Sequence, residues 1–156
     1  MAEVQTKTVE AMTVLSLSFT GAYSQTIDRL DDLLAWVLRA GHPWAGPPVG
    51  IYYDDPAKAP EDKLRGEVVV PIAEVCKPTD NVQRKELPGA LVACAVHDGP
   101  YSDLPALYKE IFDWITQNGY RYVEGMGTRE VFHKFPGMAG EAQEYLTEVQ
   151  VPIEKV

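Results

Sequence analysis

The sequence predicts an α+β fold made of two strand–helix–strand–strand copies, with a largely antiparallel sheet and two main helices on one face. Three observations lead there. The segment GEVVVPI at residues 66–72 returns as TEVQVPI at residues 147–153, with five of seven positions unchanged. GAYS at 21–24 returns as GPYS at 99–102, and the same offset of 78 carries Trp36 onto Trp114 and Gly41 onto Gly119. Strands outnumber helices and do not alternate with them one for one, which favours α+β over a parallel, doubly wound sheet. The pair at the ends of the copies is offset by 81, so the second copy is three residues longer by its end. Two copies are too few for a solenoid. They suit a pseudo-twofold axis, with a ligand groove expected between the helices near it.

The first copy opens on TVLSLSF, whose alternation puts Leu15, Leu17 and Phe19 on one face. Ser24 or Thr26 can cap the helix that follows. Ile27, Leu30, Leu34, Val37 and Leu38 recur at helical spacing, and Gly41 closes the helix. GPPVGIYYDDP then turns and runs extended around Tyr52, and EVVVPI is a strand. In the second copy ALVACAVH is a strand. The helix runs from about Ser102 to Gln117, carrying Leu104, Leu107, Tyr108, Ile111, Phe112 and Ile115 at i, i+3, i+4, i+7 spacing. Pro105 falls in the first turn, where its missing N–H costs nothing. REVFHKFP and TEVQVPI supply the last strands, each copy's final strand stopping at its proline. Further strands are expected near VQTKTVE and AEVC, whereas DDPAKAPEDKLR and KPTDNVQRKELPG read as loop and linker.

The 156 residues suffice for one domain, with pseudo-repeats at about 12–76 and 90–153. No run of about 18 apolar residues suggests a membrane span, and the N-terminus lacks the basic-then-apolar pattern of a signal peptide. A formal net charge of −9 argues against binding a nucleic-acid backbone. Cys76 and Cys94 sit in apolar, strand-like runs as buried thiols, and a reducing cytoplasm is the expected compartment. His42 and His133 have no ligand-like companions, and neither a metal site nor a cofactor is expected. His97 takes the repeat position of Phe19 and reads as a strand-end packing residue. Trp36 and Trp114 lie off the main apolar stripes of their helices, where they either pack on helix neighbours or line the groove. Trp44 sits in a loop. Tyr52, Tyr101, Tyr108 and Tyr145 are further groove candidates, because aromatic rings offer large contact area at low entropy cost.

The ordered set HDGPY, LYKEIFDWITQNGY, GTREVF and TEVQVPI, with GPPVGIYYDDP and EVVVPI before it, resembles the GyrI-like small-molecule-binding domain. That family includes effector-binding domains of AraC-type and multidrug-responsive transcription regulators. The resemblance runs from about Met12 to Ile153. It implies a groove that takes bulky lipophilic compounds, often aromatic and cationic. Glu148 alone reads as a solvated residue on the wet face of a strand; the resemblance makes it the acidic floor of the pocket. It also brings in Glu130, while Glu67 follows as the repeat mate of Glu148. Glu148 is expected to be the more enclosed of the two mates, ringed by aromatics, and its burial to raise its pKa.

Three functions follow from the resemblance. The first is binding of small lipophilic, aromatic compounds, cationic ones among them. The second is hydrolysis of an electrophilic cyclopropane-type ring, with Glu148 directing water and Tyr52 or Tyr145 assisting the leaving oxygen. The third is a protein-interaction role such as modulation of DNA gyrase. The copies begin within about a dozen residues of Met1, so direct transcription control by this chain alone is not expected.

Overall fold

A computed structural model of the chain describes residues 3–41, 44–72, 81–136 and 142–156. His42, Cys76 and the strand expected around AEVC lie outside these residues. Among the described residues the order is β1 (Gln5–Val9), β2 (Met12–Thr20), α1 (Thr26–Ala40), β3 (Val49–Tyr52), β4 (Arg65–Pro71), β5 (Val82–Leu87), β6 (Ala90–Asp98), α2 (Leu104–Gln117), β7 (Tyr120–Tyr122), β8 (Thr128–Lys134) and β9 (Leu146–Lys155). The fold is α+β, with all strand pairs described below antiparallel and two principal helices. No described helix is long and apolar enough to cross a membrane.

Backbone contacts divide the chain into an N-terminal unit, residues 11–88, and a C-terminal unit, residues 1–10 with 89–156. In the N-terminal unit the strand order is β3-β4-β2-β5, and α1 packs on β4 and β2. In the C-terminal unit it is β1-β6-β9-β8, with β7 on the far end of β9, and α2 packs on β6, β7 and β9. There Ala93, Ala95, Val149, Val151 and Ile153 from the strands close on Leu104, Leu107, Ile111 and Ile115 from the helix.

The duplication is written in the registers. Leu15 pairs with Val70 and Ser18 with Glu67; Ala93 pairs with Val151 and Val96 with Glu148. These are the same pairs under offsets of 78 and 81. Ile51 opposite Glu67 and Val131 opposite Glu148 add an offset of 80 for the intervening strand. The edge strands repeat as well. Gln5 faces Cys94, and Gln83 faces Ser16, again 78 apart. The first strand of each repeat therefore sits in the unit built from the other repeat: β1 on β6, and β5 on β2.

Several expectations change. The segment read as a linker contains β5, because Val82 and Leu87 bury at its ends while Gln83, Arg84 and Glu86 stay exposed along an edge strand. The last strand does not stop at Pro152 but runs to Lys155. Pro152 lies between Gln150, the last residue paired to β8, and Ile153, the first paired to β7, so its missing N–H falls where β9 changes partner. The buried stripe of α1 runs through Leu30, Leu33, Trp36 and Val37, and Leu38 is 81% exposed. Thr26 does not cap α1; its hydroxyl donates to the Tyr23 carbonyl at 2.6 Å. Gly41 ends α1 as expected, in the left-handed region at φ 76°.

Candidate functional site

Cross-strand partners share a face of a sheet, which sorts the side chains of β6, β9 and β8. Val149, Val151 and Ala95 look toward α2 and form the core. The opposite face carries Cys94, Val96, Glu148, Gln150, Arg129 and Val131. Three of these are polar and still buried: Arg129 at 1% exposure, Gln150 at 6% and Glu148 at 8%. Val96, directly opposite Glu148, is 51% exposed. A sheet with one wet face would leave such groups in water; burying them costs several kcal/mol unless they are hydrogen-bonded or paired.

They are paired. The Lys7 ammonium on β1 lies 2.5 Å from Glu148 Oε2, and the Gln150 amide donates to the same oxygen at 2.7 Å. His133 Nε2 stands 3.5 Å from Oε1. Burial alone would push the Glu148 carboxyl up, but the Gln150 and Lys7 hydrogen bonds, the Lys7 charge and His133 together hold it below the ordinary glutamate value. The expected rise is therefore corrected to a fall. Glu148 is a weaker base than burial by itself would make it.

The N-terminal unit repeats the arrangement. Glu67 accepts hydrogen bonds from the Tyr53 hydroxyl at 2.5 Å, Lys85 at 2.6 Å and the Ser16 hydroxyl at 2.6 Å. Burial again raises this carboxyl, and Lys85, Ser16 and Tyr53 outweigh it, so its pKa is lowered. Position by position, Lys85 answers Lys7, Tyr53 answers His133 and Ser16 answers Cys94. Glu67 is only 2% exposed against 8% for Glu148. The expected order of burial is thus reversed. Both carboxylates can be buried because each receives a lysine from an edge strand. The close polar partners of Glu148 are Lys7, Gln150 and His133.

The other candidates divide among several places. Glu130 lies opposite Val149, on the α2 face of the sheet, where it accepts the Tyr108 hydroxyl at 2.6 Å; it does not share a face with Glu148. Near the start of α2, Tyr101 stacks on Tyr145 at 5.1 Å and meets Phe132 edge-on at 6.1 Å. Burial, with Tyr145 and Glu130 nearby, raises the Tyr101 phenol far above its ordinary pKa. Its hydroxyl is buried with no hydrogen-bond partner among the described residues, as is that of Thr147. Tyr23, the repeat mate of Tyr101, instead donates to the carbonyls of Arg65 at 2.7 Å and Asp54 at 3.2 Å. Tyr52 packs edge-on against Tyr23 at 4.7 Å. Trp114 stacks on Tyr120 at 5.9 Å, Trp36 is buried, and the exposed Trp44 bridges to Ile72 through its backbone. His97 accepts its place at the strand end, 3.1 Å from the Pro100 carbonyl, beside a concavity of about 300 Å³ lined by Val96, Asp98, Asp103 and Glu110 among others.

The carboxylate partners missed from the sequence are Lys7 and Lys85. Their signal was present: VQTK at 4–7 and VQRK at 82–85 match at the offset of 78.

The fold agrees with comparisons to known proteins. The chain matches the GyrI-like small molecule binding domain over residues 2–154, and it belongs to that family. It is similar to "DNA gyrase inhibitor 2" of Dickeya dadantii (strain 3937), 29% identical over 114 residues that cover 70% of this chain and 72% of the relative. The EcmrR C-terminal domain superposes with a TM-score of 0.88 at 22% identity, covering 100% of this chain and 99% of that one. Against the longer EcmrR chain in its DNA complex, this chain spans 58% of the length. SAV2435, solved bound to tetraphenylphosphonium, has a TM-score of 0.63 at 12% identity, with 97% and 94% covered.

Proposed function

We propose that the chain binds a small lipophilic, aromatic compound against the polar face of β6, β9 and β8 in the C-terminal unit. One observation carries this reading. Arg129, Glu148 and Gln150 are buried on the sheet face turned away from the hydrophobic core, beside the exposed side chain of Val96. Ionisable groups held by burial and a specific charge partner are candidates for a functional surface. Membership of a small-molecule-binding family gives the same direction. Titration calorimetry with a panel of aromatic compounds, including tetraphenylphosphonium and triphenylphosphine oxide, tests it. Saturable binding is expected for at least one compound. Val96→Arg, a change at an exposed position, should abolish that binding and leave the melting temperature nearly unchanged. A silent panel, or binding indifferent to Val96→Arg, overturns the reading.

A second reading, modulation of DNA gyrase, is favoured by what relatives such as "DNA gyrase inhibitor 2" are called. In a supercoiling assay with purified gyrase it expects a concentration-dependent loss of supercoiling on adding this protein. Unchanged supercoiling at saturating protein removes it. The hydrolytic alternative gains no support from Glu148, whose carboxylate is held by Lys7 and kept below its ordinary pKa.

A further inference from the structure

We infer that Lys7 sets the charge of the ligand, so that the site selects an electroneutral aromatic compound over a cation. The inference rests on the binding face proposed above and names the class of compound it takes. A lone buried carboxylate attracts lipophilic cations because it lacks a counter-charge. Glu148 already has one. The Lys7 ammonium sits 2.5 Å from Oε2, where a ligand's positive centre would have to come, and Gln150 occupies the same oxygen at 2.7 Å. The remaining oxygen, Oε1, looks to His133 at 3.5 Å. A cation approaching this carboxylate would meet the ammonium as a like charge at close range. A neutral compound meets a cancelled pair and loses nothing.

The pairing is built in twice. Lys85 reaches Glu67 at 2.6 Å from the equivalent position of the equivalent edge strand. Lys7 lies on β1, whose backbone is fixed in register against β6 from Gln5 to Val9. Its ammonium is therefore delivered by a paired strand rather than by a loose tail. The Lys7 side chain remains 44% exposed along its length, so its charge can be removed without opening a core.

The test compares two matched ligands, tetraphenylphosphonium as the cation and triphenylphosphine oxide as the neutral relative, by calorimetry on the whole chain. Wild type is expected to bind the oxide at least tenfold more tightly than the cation. Lys7→Met should raise affinity for the cation at least tenfold while moving the oxide by less than about twofold, and Lys7→Arg should keep the wild-type ratio. Lys7→Gln replaces Lys7→Met if the latter fails to fold by circular dichroism. Preference of the wild type for the cation, or an equal change for both ligands in Lys7→Met, overturns the inference while leaving the binding face in place. Binding of neither ligand to any variant counts against the binding face itself, and the inference falls with it.

Discussion

Lys85→Met is expected to destabilise the protein by about 3 kcal/mol, and to do so more severely than Glu67→Gln. The two changes break the same ion pair from opposite ends, but they strand different groups. Removing Lys85 leaves a carboxylate that is 2% exposed, held only by the Ser16 and Tyr53 hydroxyls. Breaking a buried pair in this way typically costs 3–5 kcal/mol, because the remaining charge stays desolvated. Removing the Glu67 charge instead leaves an ammonium whose side chain is 36% exposed and can turn to water. The double variant should recover much of the Lys85→Met loss, since no charge is left buried. Urea unfolding of the four proteins measures all of this. Equal losses for the two single variants would mean that Glu67 reaches solvent in the folded protein.

The pH dependence has a definite sign. The Glu67 carboxyl is lowered in the folded state, so its contribution is fully present above the ordinary glutamate pKa of about 4.3 and is lost as pH falls through the lower folded value. The stability gap between wild type and Glu67→Gln should therefore be constant near neutrality and close in acid. Lys85→Met should be relieved in acid too, since protonation neutralises the stranded carboxyl.

Much of the fold was legible because its signals are local. The alternation in TVLSLSF, the helical spacing from Leu104 to Ile115 and the glycine after each helix fix elements without knowledge of their neighbours. The duplication was legible because sequence offsets survive folding as pairing registers. What escaped were consequences of long-range pairing. VQRKEL reads as a polar linker until β2 pairs along it, since an edge strand buries little and keeps its charges in water. The environment of Glu148 escaped for the same reason. Its counter-charge comes from 141 positions away, on a strand that pairs with neither β9 nor its own repeat. Nor could the sequence show that Glu148 and Glu130 lie apart: alternate positions along paired strands put them on opposite faces.

Joining Gln5→Cys to Cys94 is expected to stabilise the protein by about 4 kcal/mol and to show directly where β1 belongs. Gln5 lies opposite Cys94 in the antiparallel pair of β1 and β6. Such partners have Cα atoms about 4.5–5.5 Å apart, within the range a disulfide spans. The bridge would close a loop of roughly 90 residues, and a loop near 100 residues restricts the unfolded chain by about 4.7 kcal/mol. Cys76 is replaced by serine so that only one partner thiol remains. The competing arrangement is a simple hairpin, since β1 and β2 are separated only by Glu10 and Ala11. In that hairpin Gln5 would face Ser16, the residue that Gln83 of β5 occupies in the structure. The two arrangements give opposite results under mild oxidation. Exchanged strands yield an intrachain Gln5→Cys–Cys94 bridge and a raised unfolding midpoint. A hairpin leaves Gln5→Cys reduced and yields a bridge only when Ser16→Cys is added. The paired variant Ser16→Cys with Gln83→Cys, in a background without Cys76 and Cys94, should likewise close if β5 holds the edge of β2. Failure of both bridges, with the Gln5→Cys and Ser16→Cys pair closing instead, would return each first strand to its own repeat and take from Glu148 the lysine that neutralises it.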